Sequence, residues 1–236
     1  RRKLLFCIFP TADSGQTVVE ALRRRHKLAT GLRLENPQWR TLLSESAAHP
    51  RSATKRDVGP MTEALVRAFA REPFHQWMVP DADAWAAKAP KYFTSYIKMI
   101  LRDGYADTVD GGHGGALWLS PDKPGGGMLS RFLVPFVLWR LAGQKFSDVW
   151  GVIPLINRHR PQDPHWYLDI LGVDPAHGRS GIGSALLAHG LKRCDQSGEA
   201  VFLDTLSADN TRFYEKHGFD ITANFTLPSG LSIWTM

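Results

Sequence analysis

The run Val173-Asp-Pro-Ala-His-Gly-Arg-Ser-Gly-Ile-Gly-Ser-Ala-Leu-Leu187 carries the end of an apolar strand into a glycine-rich turn and then into helical spacing. Amides in the first turn of a helix have no intrahelical acceptor and sit at the positive end of the helix dipole, so this arrangement binds phosphate. Gly178, Gly181 and Gly183 allow close approach, Arg179 and Ser180 supply a charge and a hydroxyl, and the backbone of Ile182 and Ser184 completes the set of amides over 178–184. A doubly wound dinucleotide domain is excluded because only about fifty residues follow the turn. The turn also lacks the Gly-Lys-Ser/Thr ending of nucleoside triphosphatases.

Helical patterning continues to about Cys194, an apolar strand Ala200-Val-Phe-Leu-Asp-Thr205 follows, and then Ser207-Ala-Asp-Asn-Thr-Arg-Phe-Tyr-Glu-Lys-His-Gly-Phe219, with Asn210 four residues before Tyr214. Asp169, on the strand entering the turn, and Asp204, on the next strand, are carboxylates in apolar surroundings. Burying such a group unpaired is costly, so each has either a chemical task or a structural hydrogen bond to a loop. Tyr214 is either a packing aromatic or a proton donor, since a phenol with a pKa of about 10 keeps its proton at neutral pH. His165, His177 and His217 read as loop or turn residues rather than bases.

In this order and spacing the chain resembles the GNAT superfamily of acyl-CoA N-acyltransferases. Within it the likeness is closest to puromycin N-acetyltransferases and their relatives, which share the sense of His159-Arg-Pro-Gln-Asp-Pro-His-Trp166, the Gly172-Val-Asp-Pro-Ala-His177 run and a Trp234-Thr-Met236 type of ending. The likeness spans about residues 50–236. It implies an α/β fold (α+β mixed): a central mixed, mostly antiparallel twisted sheet flanked by helices. It implies acetyl-CoA as cosubstrate and no metal. The amides of 178–184 would take the pyrophosphate, and the backbone of Leu171, Gly172 and Val173 would run beside the pantetheine like an added strand. Strand amides near Leu171 or Gly172 would polarise the thioester oxygen, while Asn210 and Phe213 would contact coenzyme A or hold the turn beside it. Tyr214 takes the place of the acid for the departing thiolate, and Asp169 or Asp204 that of a base acting directly or through water. One departure stands out. Where the family carries Gln or Arg, then often Gly and Lys, before the glycine equivalent to Gly181, this chain has Gly178, Arg179 and Ser180, so its basic side chain is displaced by one residue.

The resemblance implies acetyl transfer to the primary amine of a small molecule, of an antibiotic or aminonucleoside kind. A protein or peptide amine is the alternative acceptor, and a non-catalytic acyl-CoA-binding module docking on nucleic acid is the alternative from another class. The acceptor side would be built by the helices at 82–102 and 128–156, and among Trp77, Trp85, Trp118, Trp139, Trp150 and Trp166 some would line its pocket while most fill the core.

These groups need a scaffold, and the sequence supplies one. Asp57 with Pro60 in the first turn starts a helix ending near Glu72-Pro73, a second helix covers 82–102, and two strands at 104–109 and 115–119 flank Asp110-Gly-Gly-His-Gly as a hairpin. A glycine-rich loop at 124–127 precedes helical, apolar patterning over 128–156. With 236 residues and 43% hydrophobic content the chain supports one substantial core, here assigned to residues 50–236. Residues 1–49 read as a basic extension in which 4–9 suit a short strand and Thr17-Val-Val-Glu20 a capping box. Residues 1–57 hold 12 Lys or Arg against 5 Asp or Glu, so the whole net charge of +6 arises there and the rest of the chain, with 17 basic and 18 acidic residues, is near neutral. Such a flank can contact nucleic acid or an anionic membrane, although a solvated surface is the simpler reading. Two distant cysteines, Cys7 and Cys194, rule out a disulfide framework and a zinc module, which suits the cytoplasm. No apolar run is long enough to cross a membrane: 4–9 is short, and 132–139 contains Pro135. A homodimer is left open.

Overall fold

Gly172 and Gly190 show how the layers close. A Cβ on Gly172 would lie 2.7 Å from Leu65 and 2.8 Å from Phe69, and one on Gly190 would lie 2.2 Å from the Trp118 indole. Helices therefore press on both faces of one sheet at distances that only hydrogen side chains permit. The computed structural model describes residues 49–123 and 127–236; the expectations placed on 1–48 and on most of the 124–127 loop lie outside the described residues.

Seven strands form the sheet: β1 (Pro50–Ser52), β2 (Tyr105–Val109), β3 (Gly114–Leu119), β4 (His165–Val173), β5 (Ala200–Thr205), β6 (Ala223–Thr226) and β7 (Ser232–Thr235). Their spatial order is β1-β2-β3-β4-β5-β7-β6, and only the β4–β5 pair is parallel. This is the mixed, mostly antiparallel sheet expected. Central β3 is buried along its whole length, because helices cover both of its faces.

On one face lie α1 (Val58–Phe69), α2 (Pro73–Met78), α3 (Ala82–Asp103), α4 (Met128–Ala142) and α5 (Phe146–Asn157). A core of Met61, Leu65, Phe93, Ile97, Leu117 and Leu141 joins them to the sheet. The opposite face carries α6 (Ile182–Ser197) and α7 (Ala208–Lys216), around Trp118, Leu168, Leu186, Leu187 and Leu203. Helix α3 starts where Asp81 accepts the Ala84 amide at 2.7 Å, the arrangement of an N-cap.

Three local readings change. The first helix stops at Phe69 and Glu72 caps a separate α2 by accepting the His75 amide at 3.0 Å. The 128–156 segment is two helices broken at Gly143, which has φ +57°. Pro135 leaves α4 continuous. Strands β1, β6 and β7 span 3, 4 and 4 residues, too few for alternation to announce them.

Candidate active site

A β-bulge at Asp169 shapes the site. Strand β3 pairs Leu117 with Ile170 but Trp118 with Leu168, so Asp169 is the extra residue. Before the bulge Trp166 and Leu168 face α6; after it Leu171 and Val173 do, while Tyr167 and Ile170 pack toward α3. The phase of the strand thus changes at Asp169, whose carboxylate points to the α3 face and accepts a very short hydrogen bond from the Tyr96 hydroxyl.

At the same level the sheet parts. The β4–β5 pairing runs from His165↔Ala200 to Leu168↔Leu203, after which β5 turns to β7 through Asp204↔Thr235 and Thr205↔Trp234. Asp204 lies just past the last pair, and Tyr167 donates to its Oδ1 at 2.7 Å. Asp169 and Asp204 are half-buried residues, as residues lining a crevice are. Burial pushes the Asp169 carboxyl up to about 6; the Tyr96 hydrogen bond opposes this and the nearby Asp204 charge reinforces it. Burial also raises Asp204, against the Tyr167 hydrogen bond and the Arg160 charge. The Arg160 guanidinium lies 3.9 Å over the Tyr167 ring, and its buried Nε has no hydrogen-bond partner among the described residues.

Tyr214 lies on the other face, among the α6 and α7 residues. Its ring meets Phe213 and Phe219 edge-on at 5.2 and 5.8 Å, and its hydroxyl makes no hydrogen bond among the described residues. Burial first, and the Asp204 charge second, hold its phenol well above the ordinary value, so it keeps its proton. The gap between β4 and β5 therefore separates two carboxylates on the α3 face from a protonated phenol on the α6 face.

The glycine-rich turn caps the open end of β4. Arg67 fixes its start through Nε and Nη2, 2.9 and 2.8 Å from Asp174 Oδ2, and Asp174 Oδ1 accepts the Ala176 amide at 3.0 Å. The arginine hydrogen bond holds the Asp174 carboxyl below its usual range. Ser180 Oγ donates to the His177 carbonyl at 2.6 Å. Arg179 and Gly181 both have positive φ, +61° and +81°, and Gly181 N-caps α6 without a side-chain cap. The Gly178 amide, expected among the phosphate donors, instead bonds the Pro175 carbonyl at 3.1 Å and closes the turn; among the described residues the amides of 179–184 have no protein acceptor, which leaves a run of open donors. Position 179, where the family pattern often has glycine, is where a left-handed backbone is required; here Arg179 adopts it.

Residues singled out from the sequence separate into three groups. Asp169 and Asp204 lie on the α3 face beside the point where β4 and β5 part, while Tyr214 is packed in the α6 core within reach of the Asp204 charge. Leu171, Gly172 and Val173 form the β4 segment beyond its pairing with β5, while Gly178, Arg179, Ser180, Gly181, Ile182, Gly183 and Ser184 form the turn and first helical turn. Asn210 instead holds its own turn, donating to Thr205 Oγ1 at 3.3 Å, and Phe213 packs beside Gly183. The histidines serve structure: His165 Nδ1 lies 2.9 Å from the Asp163 carbonyl oxygen, His217 Nδ1 lies 2.7 Å from that of Phe213, and His177 stacks on His113 at 3.8 Å. Trp85, Trp118 and Trp166 are core, whereas Trp139 is exposed. Sequence reasoning missed Tyr92, Tyr96, Tyr167 and Arg160. Tyr92 and Tyr96 stack at 5.6 Å, and their spacing of one helical turn was the available signal.

Residues 133–219 match the model of the acetyltransferase (GNAT) family, a span containing Asp169, the turn, Asp204 and Tyr214. A solved structure described as histone acetyltransferase HPA2 and related acetyltransferase from Corynebacterium glutamicum is 26% identical, with 79% of this chain and 94% of that one covered at a TM-score of 0.59. Arylalkylamine N-acetyltransferase 2 from Aedes aegypti superposes at a TM-score of 0.58 with 14% identity, over 80% of this chain and 98% of that one. The mosquito arylalkylamine N-acetyltransferase like 5b does so at 0.54 with 16% identity, over 80% and 98%. At these identities the two mosquito proteins speak to the fold alone.

Proposed function

We propose that this chain, whose residues 133–219 match the acetyltransferase (GNAT) family model, is an acetyltransferase of that kind and transfers an acetyl group from acetyl-CoA to the primary amine of a small molecule, by direct attack with both substrates bound. The observation that carries this reading is the gap where β4 and β5 part, with two carboxylates on one side and the Tyr214 phenol on the other. The residues fit the cosubstrate: open amides at 179–184 match a diphosphate, and the unpaired edge of Leu171–Val173 matches an extended amide-bearing arm. Acetyl-CoA supplies an activated acyl carbon.

The protein's own part is positioning and proton movement. The amine enters from the α3 face, where Asp204 or Asp169 accepts its proton as the N–C bond forms. Tyr214, on the α6 face, donates its proton to the leaving sulfur as the C–S bond breaks. The Leu171 amide, which the β3 register turns to the open edge, polarises the acyl oxygen, whereas that of Gly172 is turned toward β3. Tyr92, Tyr96 and Tyr167 give the acceptor side an aromatic wall with hydroxyl groups, which suits an aromatic amine of aminonucleoside type and favours a small acceptor over a peptide.

An acetyl-CoA-dependent thiol-release screen over a panel of amines tests the reading, with nucleic acid and acetyl-CoA compared as thermal-shift ligands. A ligand at 100 times its Kd stabilises by about 2.7 kcal/mol. Acetyl-CoA is expected to raise the melting temperature and nucleic acid at physiological salt to leave it unchanged; the reverse pattern would favour a binding module.

A further inference from the structure

Among the described residues seven large hydrophobics are exposed, and five of them belong to α4: Met128 at 80%, Leu129 at 54%, Phe132 at 67%, Phe136 at 51% and Trp139 at 54%. Leu129, Phe132, Phe136 and Trp139 recur at spacings of three and four, so they share one outward face, with Met128 at its head. The inward face, with Ser130, Val137 and Leu141, is buried. An apolar face turned to water costs free energy with every exposed side chain, so a contiguous one marks a contact surface.

Its borders say which kind. At 3.6 residues per turn, Arg131 falls on one edge of the apolar arc and Arg140 on the other; both are exposed, and Arg140 lies 5.7 Å over the Phe136 ring. Between Asp122 and Asp148 the chain has no carboxylate, only Lys123, Arg131, Arg140 and Lys145. A second copy docking face to face would set arginine borders against arginine borders. A bilayer with anionic headgroups accepts both features at once: apolar rings enter the acyl boundary and the flanking guanidiniums reach phosphate. The helix has 15 residues, and no helix among the described residues is long and apolar enough to cross a membrane, so α4 would lie in the surface plane.

We propose that the outward face of α4 docks the protein on an anionic lipid surface. The test is flotation of the full chain with phosphatidylcholine vesicles, with and without phosphatidylserine. The protein is expected to float with the anionic vesicles, to be released by added salt, and to stay behind with the neutral ones. Phe132→Glu should reduce the bound fraction at least tenfold, and Arg140→Gln should weaken binding about fivefold. Both substitutions face outward, and unchanged melting temperatures confirm that the variants fold. The proposal is overturned if anionic vesicles fail to bind the protein, or if neutral vesicles bind it equally. It is overturned as well if Phe132→Glu binds like the parent, which would place the contact in basic residues elsewhere, or if that variant instead abolishes a concentration-dependent dimer.

Discussion

At Tyr167 and Leu168 strand β4 is paired on both edges, to β3 and to β5, whereas from Leu171 to Val173 it is paired with β3 alone. The first half buries Trp166 and Leu168 in the α6 core; the second carries the bulge, a carboxylate and the turn whose amides lack protein acceptors. One strand thus serves two purposes. Where the sheet satisfies its own hydrogen bonds, side chains decide stability. Where it stops, the unpaired backbone becomes a binding surface and buried ionisable groups become tolerable because a ligand crevice gives them access.

The sharpest way to break this comparison is to remove the donor on the open side. Tyr214→Phe is expected to lower kcat by about 10²–10⁴ while leaving the acetyl-CoA thermal shift nearly intact, since the hydroxyl is assigned to the leaving group and not to binding. Single-turnover kinetics beside the thermal shift check this, and unchanged turnover would return Tyr214 to the core.

The paired half should answer with stability alone. Leu168 is 3% exposed, and Leu168→Ala should cost about 2–5 kcal/mol, or roughly 5–15 °C in melting temperature. Turnover per folded molecule should hardly change, because the side chain faces the α6 core before the gap opens. Loss of turnover without loss of stability would show that the two halves are not separable.

Asp169 sits at the boundary and should show both kinds of behaviour. Its folded-state pKa of about 6 lies above its ordinary value of 3.8, so the fold favours the protonated acid. That preference contributes stability at low pH and is lost as pH rises through about 6. Asp169→Asn should therefore gain on the parent by on the order of 1–3 kcal/mol between pH 4 and 7. If Asp169 is the base, kcat/KM of the parent falls about tenfold per unit below pH 6 and the variant lacks that limb. A stability gain with an unchanged pH profile would give the role to Asp204.

Much of this was legible in the sequence, and the reason differs by region. The turn, β5 and α6 are local features: glycine placement, an apolar run and helical spacing each announce themselves within about a dozen residues. The long α3 was placed at 82–102, within one residue of its observed Ala82–Asp103. The bulge was not, since a change of phase in β4 exists only against the register of β3. Tyr96 and Arg160 were missed for a related reason. Tyr96 is 73 residues from Asp169, and nothing local to a tyrosine on a helix or an arginine in a loop reveals which carboxylates face it. The chemistry-bearing residues could be named from pattern, but their division between the two faces of the sheet required the fold.

The turn offers the finest test, because its glycines are not equivalent. Gly181 has φ +81°, so Gly181→Ala should cost roughly 1–2 kcal/mol of backbone strain and distort the amides, weakening acetyl-CoA by about tenfold in a calorimetric titration. Gly183 should contribute least. A Cβ there would lie 3.6 Å from Val173 and 3.7 Å from Phe213, ordinary contacts that point toward strand and core, away from the outward amides. Alanine also suits a helix better than glycine by up to about 1 kcal/mol. Gly183→Ala is therefore expected to keep acetyl-CoA affinity within about threefold, although the motif alone makes this glycine look as necessary as Gly181. A tenfold loss would mean that the carrier passes over the Val173–Phe213 side of the turn, and the binding surface would then have to be redrawn onto that side.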